Sequence, residues 1–218
     1  MHTLVEQILA EPQANILLQQ VQAVLAEEQQ RRERFYEEMT EQQKVEFING
    51  QIFMHSPVKK RHNQANLLLA KLVSTYADLH DLGFVGIEKI LITLTRNDYE
   101  PDICYFNKEK AQHFTDDQMK FPAPDWVVEV LSGSTKANDR GVKFKDYEAH
   151  RVQEYWIVDP EKEVVEQYVL QNDSYELLLK TGQGTIASKA LSGFEIPVRA
   201  IFDKSINLEA LRQIATAN

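Results

Sequence analysis

The chain has 218 residues, of which 43% are hydrophobic and 26% charged, with a formal net charge of −9 at pH 7. This composition excludes collagen-like, intrinsically disordered and disulfide-scaffold proteins, and the length predicts one well-cored domain. The acidic balance argues against a protein coated in positive potential. Because Cys104 stands alone, and because we find no signal peptide and no apolar run of about 18 residues, we expect a cytoplasmic protein without a membrane span.

Residues 1–44 have the pattern of a polar N-terminal helix. Their apolar side chains form only a narrow stripe, consisting of Ile8, Leu17, Leu18, Val21, Val24 and Leu25. The sequence predicts that this face packs on the body of the protein, and a second interpretation is a helix that contacts a partner or a second copy. We therefore expect a helical extension over residues 1–44 and the main domain over residues 45–218.

The clearest local signal is VEFINGQIFM, residues 45–54. Asn49-Gly50 lies between alternating apolar residues, and both tolerate the positive φ angles of a two-residue hairpin turn. The apolar spacing of residues 61–82 then predicts a helix that ends near Gly83. Residues 84–95 are rich in β-branched side chains and predict one strand, followed across a polar turn by a second strand, YEPDICYF.

Two later segments are apolar enough to be strands buried on both faces: DWVVEVLS, residues 125–132, and EYWIVDP, residues 154–160. Residues 134–150 predict a helix between them, with Gly141 as its weak point. Residues 107–124 are charged and contain two prolines, which indicates a loop. Three antiparallel strands and a short terminal helix complete the chain. This order predicts an α/β domain with a mixed sheet flanked by helices, followed by a β meander.

Two of the predicted strands carry a carboxylate where alternation places a core residue. Asp102 heads Asp-Ile-Cys-Tyr-Phe, and Glu129 interrupts Trp-Val-Val-Glu-Val-Leu. A dry, unpaired, charged acid costs on the order of several kcal/mol, and a divalent cation is the commonest compensation. On the next helix, Asp139, Lys143 and Tyr147 follow one another at intervals of four. Two acids and a lysine at one place indicate metal-assisted phosphodiester cleavage.

Each of these residues also has an ordinary structural interpretation. Asp102 could be a strand-start acid after proline, and Glu129 could be one half of a buried salt bridge. Lys143 could form a surface pair with Asp139, which is worth a few tenths of a kcal/mol. Tyr147 could contact a phosphate or pack against Lys143. The residues taken singly leave these alternatives open.

Taken together, the segments resemble the PD-(D/E)xK nuclease superfamily. They resemble most closely a bacterial family of restriction-endonuclease-like proteins, a domain of largely unknown function. The matching segments run from residue 45 to about 200: VEFINGQI, SPVKKRH, Pro-Asp at 101–102, PDWVVEVLSGST, DRGVKFKDY and VQEYWIVDP. The superfamily's general motif places a lysine two residues after the second acid, where this chain has Leu131. In the family that lysine comes from the next helix, which here supplies Lys143.

The resemblance implies a restriction-endonuclease-like fold and metal-dependent hydrolysis of DNA phosphodiesters. It implies Mg²⁺ or Mn²⁺ held by Asp102, Glu129 and the carbonyl of Val130, with Lys143 orienting the attacking water. Glu46 of the hairpin is expected to position a water or the lysine. The residues expected to bind the substrate are His62, Tyr147, Lys60, Arg61 and Arg140.

Two other functions remain open at this point. One is a catalytically silent nucleic-acid-binding or regulatory module on the same fold. The other is a metal-binding structural or interaction protein, which the acidic net charge favours. For a nuclease that cuts both strands of a duplex, a homodimer is expected.

Overall fold

A computed structural model of the protein describes residues 2–40 and 42–216. Seven α-helices lie within these residues: α1 (His2–Ala10), α2 (Ala14–Glu38), α3 (Lys60–Leu79), α4 (Lys108–Ala111), α5 (Lys136–Asp139), α6 (Val142–Ala149) and α7 (Lys204–Thr216). The same residues form thirteen strands: β1 (Val45–Ile48), β2 (Gln51–Met54), β3 (Gly83–Ile87), β4 (Leu91–Thr93), β5 (Asp98–Tyr99), β6 (Ile103–Asn107), β7 (Lys120–Phe121), β8 (Trp126–Val130), β9 (Glu154–Asp159), β10 (Val164–Gln171), β11 (Ser174–Thr181), β12 (Thr185–Ala187) and β13 (Glu195–Pro197). Along this part of the chain, no helix combines the length and the apolar content needed to cross a bilayer.

Two sheets form the body of the protein. The larger has six strands in the order β11-β10-β9-β8-β6-β3, in which β8 and β9 are parallel and the other neighbours are antiparallel. The second has five strands in the order β2-β1-β5-β4-β7. The predicted α/β fold with a mixed sheet and flanking helices is confirmed. The meander from β9 to β11 is also present, but β12 leaves it and pairs with β13.

The central strands of the six-stranded sheet, β6, β8 and β9, are buried on both faces, as the unbroken apolar runs of β8 and β9 predict. On one face, Trp126, Val128 and Trp156 belong to a core that includes the apolar side of α3, and α7 packs on α3. On the other face, Val127 and Ile157 belong to a second core, which reaches the five-stranded sheet and α6. The second core matters for function, because the side chains of Asp102 and Glu129 lie on the face of the sheet that this core covers.

The prediction of a single strand over residues 84–95 is wrong. The chain turns at Glu88, whose backbone adopts a left-handed conformation with a φ of 62°. As a result, β3 lies in the six-stranded sheet and β4 in the five-stranded one. The helix predicted over residues 134–150 is divided into α5 and α6 at Gly141, its predicted weak point. The predicted loop over residues 107–124 contains α4 and the short strand β7.

The predicted packing of the N-terminal helix by its apolar stripe is also wrong. Most of that stripe is exposed to solvent: Leu17, Leu18, Val21, Val24 and Leu25. Instead α2 docks through Glu28, Arg32 and Phe35, which are buried. The Arg32 guanidinium donates to both carboxylate oxygens of Asp98, at 2.6 and 2.8 Å, and to three backbone carbonyls of the β4–β5 turn. This bidentate ion pair holds the polar helix α2 against the five-stranded sheet. The spacing of apolar residues along the sequence does not predict such a contact.

The predicted hairpin is confirmed, since β1 and β2 pair antiparallel around Asn49 and Gly50, with φ angles of 49° and 78°. We expect Gly50→Ala to lower the free energy of unfolding by about 1–2 kcal/mol, because a side chain is strained at positive φ. A Cβ at this position would also lie 2.9 Å from side-chain atoms of Arg31 and Glu28. Urea unfolding of the two proteins measures the difference.

Gly133→Ala is the matched control for this substitution. Gly133 is not among the residues with positive φ, and no atom lies within 4 Å of a Cβ built there. We expect its unfolding free energy to stay within about 0.5 kcal/mol of the parent value. Equal effects of the two substitutions would contradict the turn geometry.

Candidate active site

Asp102 lies where the chain passes from the five-stranded sheet to the six-stranded sheet. It follows β5 and immediately precedes β6. Strand β6 pairs antiparallel with β8, with Ile103 opposite Val128, so Asp102 and Glu129 are neighbours across the ladder. Because side chains alternate along a strand, the carboxyls of Asp102 and Glu129 project from one face of the sheet. The structure therefore brings the two predicted acids together.

Both carboxyl groups line one cavity of about 320 Å³, named here the acidic cavity. Its ionisable lining residues are Lys44, His55, His62, Glu88, Asp102 and Glu129. They come from the segment before β1, the segment after β2, the start of α3, the β3–β4 turn, the residue before β6 and strand β8. The site is thus assembled from parts of the chain that only the folded structure joins.

The Asp102 carboxylate has three partners. The N–H of Val130 donates to Oδ2 at 2.8 Å, Lys44 Nζ lies 3.1 Å from Oδ1, and His62 Nε2 lies 3.3 Å from Oδ2. Burial opposes ionisation of Asp102, but the hydrogen bond from His62 and the charge of Lys44 outweigh it and hold the pKa well below its usual range. Asp102 is therefore a carboxylate at neutral pH.

Lys143 lies behind Glu129 and does not line the acidic cavity. Its ammonium nitrogen is close to three carboxylates: Glu46 Oε1 at 2.7 Å, Glu129 Oε1 at 3.0 Å and Asp139 Oδ1 at 3.4 Å. Burial opposes the charge of Lys143, but these carboxylates raise its pKa well above the ordinary value. Lys143 and Asp139 are each 1% exposed, so the alternative of a surface pair is wrong.

The charge of Glu129 is only partly compensated. Burial raises its pKa well above the ordinary value against the attraction of Lys143, and the neighbouring Asp139, Asp102 and Glu46 raise it further by repulsion. Lys143 donates to Oε1, and the Tyr147 hydroxyl donates to the same oxygen at 3.4 Å. A cation placed beside Glu129 would therefore be stabilised by the carboxylates that already lie close together there.

Glu46 is buried in the second core and meets the cavity only through other side chains. Its Oε1 accepts from Lys143 and from the N–H of Glu100, and its Oε2 lies 3.2 Å from His55 Nε2. Burial opposes its ionisation, but Lys143 and His55 lower its pKa to about 2. Glu46 thus keeps Lys143 charged and fixes its position.

The donor set of the cavity fits a hard divalent cation. Within the described residues, no three acidic, histidine or cysteine side chains already form a group that could hold a metal ion. Asp102 and Glu129 nevertheless supply two carboxylates on the wall of one cavity, and oxygen donors of this kind suit Mg²⁺ and Mn²⁺. Burial and, after it, repulsion from the neighbouring acids raise the pKa of Glu129, and a bound cation would relieve the repulsion.

Four residues of this site are not indicated by the sequence: Lys44, His55, Asn66 and Glu88. Lys44 Nζ also lies 3.0 Å from Glu88 Oε2, and Asn66 Nδ2 donates to Glu88 Oε1 at 2.7 Å. The left-handed backbone at Glu88 directs its carboxylate to this place. The only signal in the sequence is that Lys44 directly precedes the hairpin, and that signal is too common to identify a site.

The structure brings only some of the predicted substrate-binding residues to a cavity. His62 lines the acidic cavity, and Arg61 lines a neighbouring one. Tyr147 is buried behind Glu129. Lys60 and Arg140 line neither cavity, and Arg140 donates to both carboxylate oxygens of Glu166, at 2.6 and 2.9 Å.

Comparison with known proteins gives a consistent family. Residues 26–199 match the Uma2 family model, described as "Putative restriction endonuclease". An uncharacterized protein of Synechocystis sp. is 32% identical over 148 residues, which cover 65% of this chain and 74% of that protein. A second uncharacterized protein of the same organism is 30% identical over 139 residues, which cover 62% of this chain and 77% of that protein.

A solved structure shares the fold. It is the crystal structure of "a putative nuclease belonging to DUF820" from Anabaena variabilis, with a TM-score of 0.61, 19% identity, and coverage of 75% of this chain and 90% of that one. At this identity the similarity shows the fold alone. The family model covers most of the chain, and both the order of segments and the fold agree with it. The chain belongs to the family described as "Putative restriction endonuclease".

Proposed function

We propose that the protein is a metal-dependent endonuclease that hydrolyses phosphodiester bonds in DNA. The observation that supports this proposal is the pair of carboxylates, Asp102 and Glu129, on neighbouring strands at one cavity, with the Lys143 ammonium 3.0 Å from Glu129. Two acids and a lysine at one place suit the cleavage of a phosphodiester. Membership of the family supports the same reaction class.

In this proposal, Asp102, Glu129 and the backbone carbonyl of Val130 hold Mg²⁺ or Mn²⁺. The Val130 N–H donates to Asp102, and the carbonyl of a strand residue lies on the same side as its N–H. When bound, the cation supplies Lewis-acid stabilisation of the charge that grows on the phosphate oxygens. The three protein groups fix its place relative to the scissile phosphate.

Lys143 acts on the reaction through Glu129. Its ammonium favours the ionised form of Glu129 and fixes Oε1, while Glu46 holds the ammonium from the other side. A direct role of Lys143, the orientation of the attacking water, stays a prediction. His62 lies at the cavity wall, where it is the predicted substrate-binding residue nearest to Asp102.

The test is cleavage of plasmid DNA by the purified protein. We expect nicking or cutting with Mg²⁺ or Mn²⁺, loss of activity with a chelator, and loss of activity in Asp102→Asn. Activity that persists in the chelator, or none on varied DNA substrates with both ions, would contradict the proposal.

One observation favours a second candidate, a catalytically silent nucleic-acid-binding module. The acids of the site already have cationic partners within the chain, Lys44 for Asp102 and Lys143 for Glu129. Salt-dependent DNA binding without cleavage under any metal condition would support this candidate.

A further inference from the structure

A second cavity, of about 460 Å³, adjoins the acidic cavity and is named here the basic groove. The two share part of their walls: Ser56, Pro57, Val58, His62, Ser132 and Ser134. A chain-like ligand that occupies one cavity can therefore continue into the other. No residue of the basic groove other than Arg61 and His62 is among the predicted site residues.

The basic groove is locally positive although the protein is acidic. Its basic lining residues are Lys59, Arg61, Lys136 and Lys162, against the acids Asp159 and Glu161. The Arg61 guanidinium lies 3.2 Å from Glu161, but both side chains are largely exposed. An exposed pair of this kind contributes little and can be exchanged for another anion.

Helix α3 adds an anion-binding end to the same wall. It is 20 residues long and begins at Lys60, and no side chain caps its first turn. The free N–H groups and the positive end of the helix dipole favour an anion there. The helix end thus reinforces the charge of the lysines around it.

His62 is the independent sign that a ligand belongs at this place. It is only 6% exposed and lines both cavities, yet its Nδ1 has no hydrogen-bond partner in the part of the chain that the structure describes. Buried polar atoms in native proteins are nearly always paired. Because the ring lies on the shared wall, a rotation of the imidazole would bring its unused nitrogen to a phosphate oxygen at the entrance to the basic groove.

We propose that the basic groove binds the sugar-phosphate backbone of a DNA strand, at phosphates that adjoin the scissile one. This inference rests on the proposed function, because the groove adjoins the cavity that Asp102 and Glu129 line. The lysines and the end of α3 contact phosphates, which fixes the register of the strand without reading its bases. Single-stranded DNA is the probe, since its backbone is free to enter a groove.

The first variant removes two charges, through Lys136→Met and Lys162→Met together. Both lysines are exposed and line the groove but not the acidic cavity. Binding of a short fluorescein-labelled DNA strand is followed by anisotropy in a chelator, from about 50 to 200 mM salt. Each lost phosphate contact on a single strand lowers the salt slope by about 0.7, so we expect a fall of about 1.4 and at least about tenfold weaker binding at low salt. The matched control, Lys71→Met with Lys204→Met, removes two exposed lysines that line neither cavity.

The second variant, Gly133→Phe, blocks the groove without changing its charge. Gly133 lines the basic groove but not the acidic cavity, and a Cβ there would meet no atom within 4 Å. We expect at least about tenfold weaker binding and an unchanged melting temperature. Weaker DNA binding by Gly133→Phe, which changes bulk and not charge, would locate the strand in the groove. If only the double lysine variant bound DNA more weakly, the effect would be long-range attraction and the proposal would be overturned.

Hydrolysis of bis(p-nitrophenyl) phosphate separates this proposal from the proposed function. This small diester needs only the acidic cavity, so with Mn²⁺ both groove variants should hydrolyse it at the parent rate. If both variants bind DNA as the parent does, the proposal of DNA binding in the groove is overturned, even if the parent protein cleaves every diester. If the variants bind DNA more weakly but the parent hydrolyses no diester, the proposal of nuclease activity is overturned and that of DNA binding in the groove stands. An RNA strand of the same length is the last arm, and binding of RNA alone would overturn the assignment to DNA.

Discussion

Replacement of Lys143 by Met is expected to lower the free energy of unfolding by about 3–5 kcal/mol and Mn²⁺-dependent cleavage by roughly 100-fold or more. The ammonium is the shared cationic partner of Glu46, Glu129 and Asp139. Its loss leaves three buried carboxyl groups that repel one another, with His55 beside Glu46 as the remaining cationic partner. Urea unfolding gives the stability, and single-turnover cleavage, at a temperature where circular dichroism shows the variant folded, gives the rate.

Lys145→Met is the matched control on the same helix. Two successive steps of about 100° turn Lys145 away from the side that Lys143 occupies, and Lys145 is exposed. We expect almost no change in stability, and in cleavage only weaker, salt-sensitive DNA binding. If Lys145→Met were inactive and Lys143→Met were active, the assignment of the lysine would be wrong.

Addition of Mn²⁺ is expected to raise the melting temperature by about 5–10 °C. A ligand that binds only the folded state, at about 100 times its dissociation constant, adds about 2.7 kcal/mol, and 1 kcal/mol corresponds to about 2–4 °C for a chain of this size. Burial and the neighbouring acids raise the pKa of Glu129, and we expect the binding energy to include relief of the repulsion between these acids. Scanning calorimetry with and without the ion measures the shift.

Asp102→Asn should abolish this metal-induced shift. The comparison is made within each protein, because the substitution also removes the charge that pairs with Lys44 and His62. Glu176→Gln, which neutralises an exposed acid on β11, controls for general effects of a divalent ion. A full shift in Asp102→Asn would place the cation elsewhere in the protein.

The sequence predicts the parts of the site that lie on regular elements. Glu129 interrupts an apolar strand and Asp102 heads another, so the sequence marks both acids, while the register that places them on one face comes from the pairing of β6 with β8. The hairpin that holds Glu46 is set by the turn residues Asn49 and Gly50. These signals are local, and local periodicity is what a single sequence records best.

The missed features depend on contacts between distant parts of the chain. Lys44 meets Asp102 across 58 positions and Glu88 across 44. Likewise, Arg32 docks α2 through Asp98, 66 positions away, in a polar contact that apolar periodicity does not register. Side-chain reach and a left-handed residue such as Glu88 decide these contacts, and neither has a pattern along the chain.

The lysines of the site give the apoprotein its own internal counter-ions. Lys44 neutralises Asp102, and Lys143 neutralises part of the charge of Glu46 and Glu129. Folding therefore does not require a cation at this site, in contrast to small metallodomains that remain unfolded without their ion. If the protein binds a cation as we propose, loading would be an exchange in which the entering cation displaces the Lys44 ammonium from Asp102. We then expect that the protein can be made and stored in chelator and activated later by metal alone.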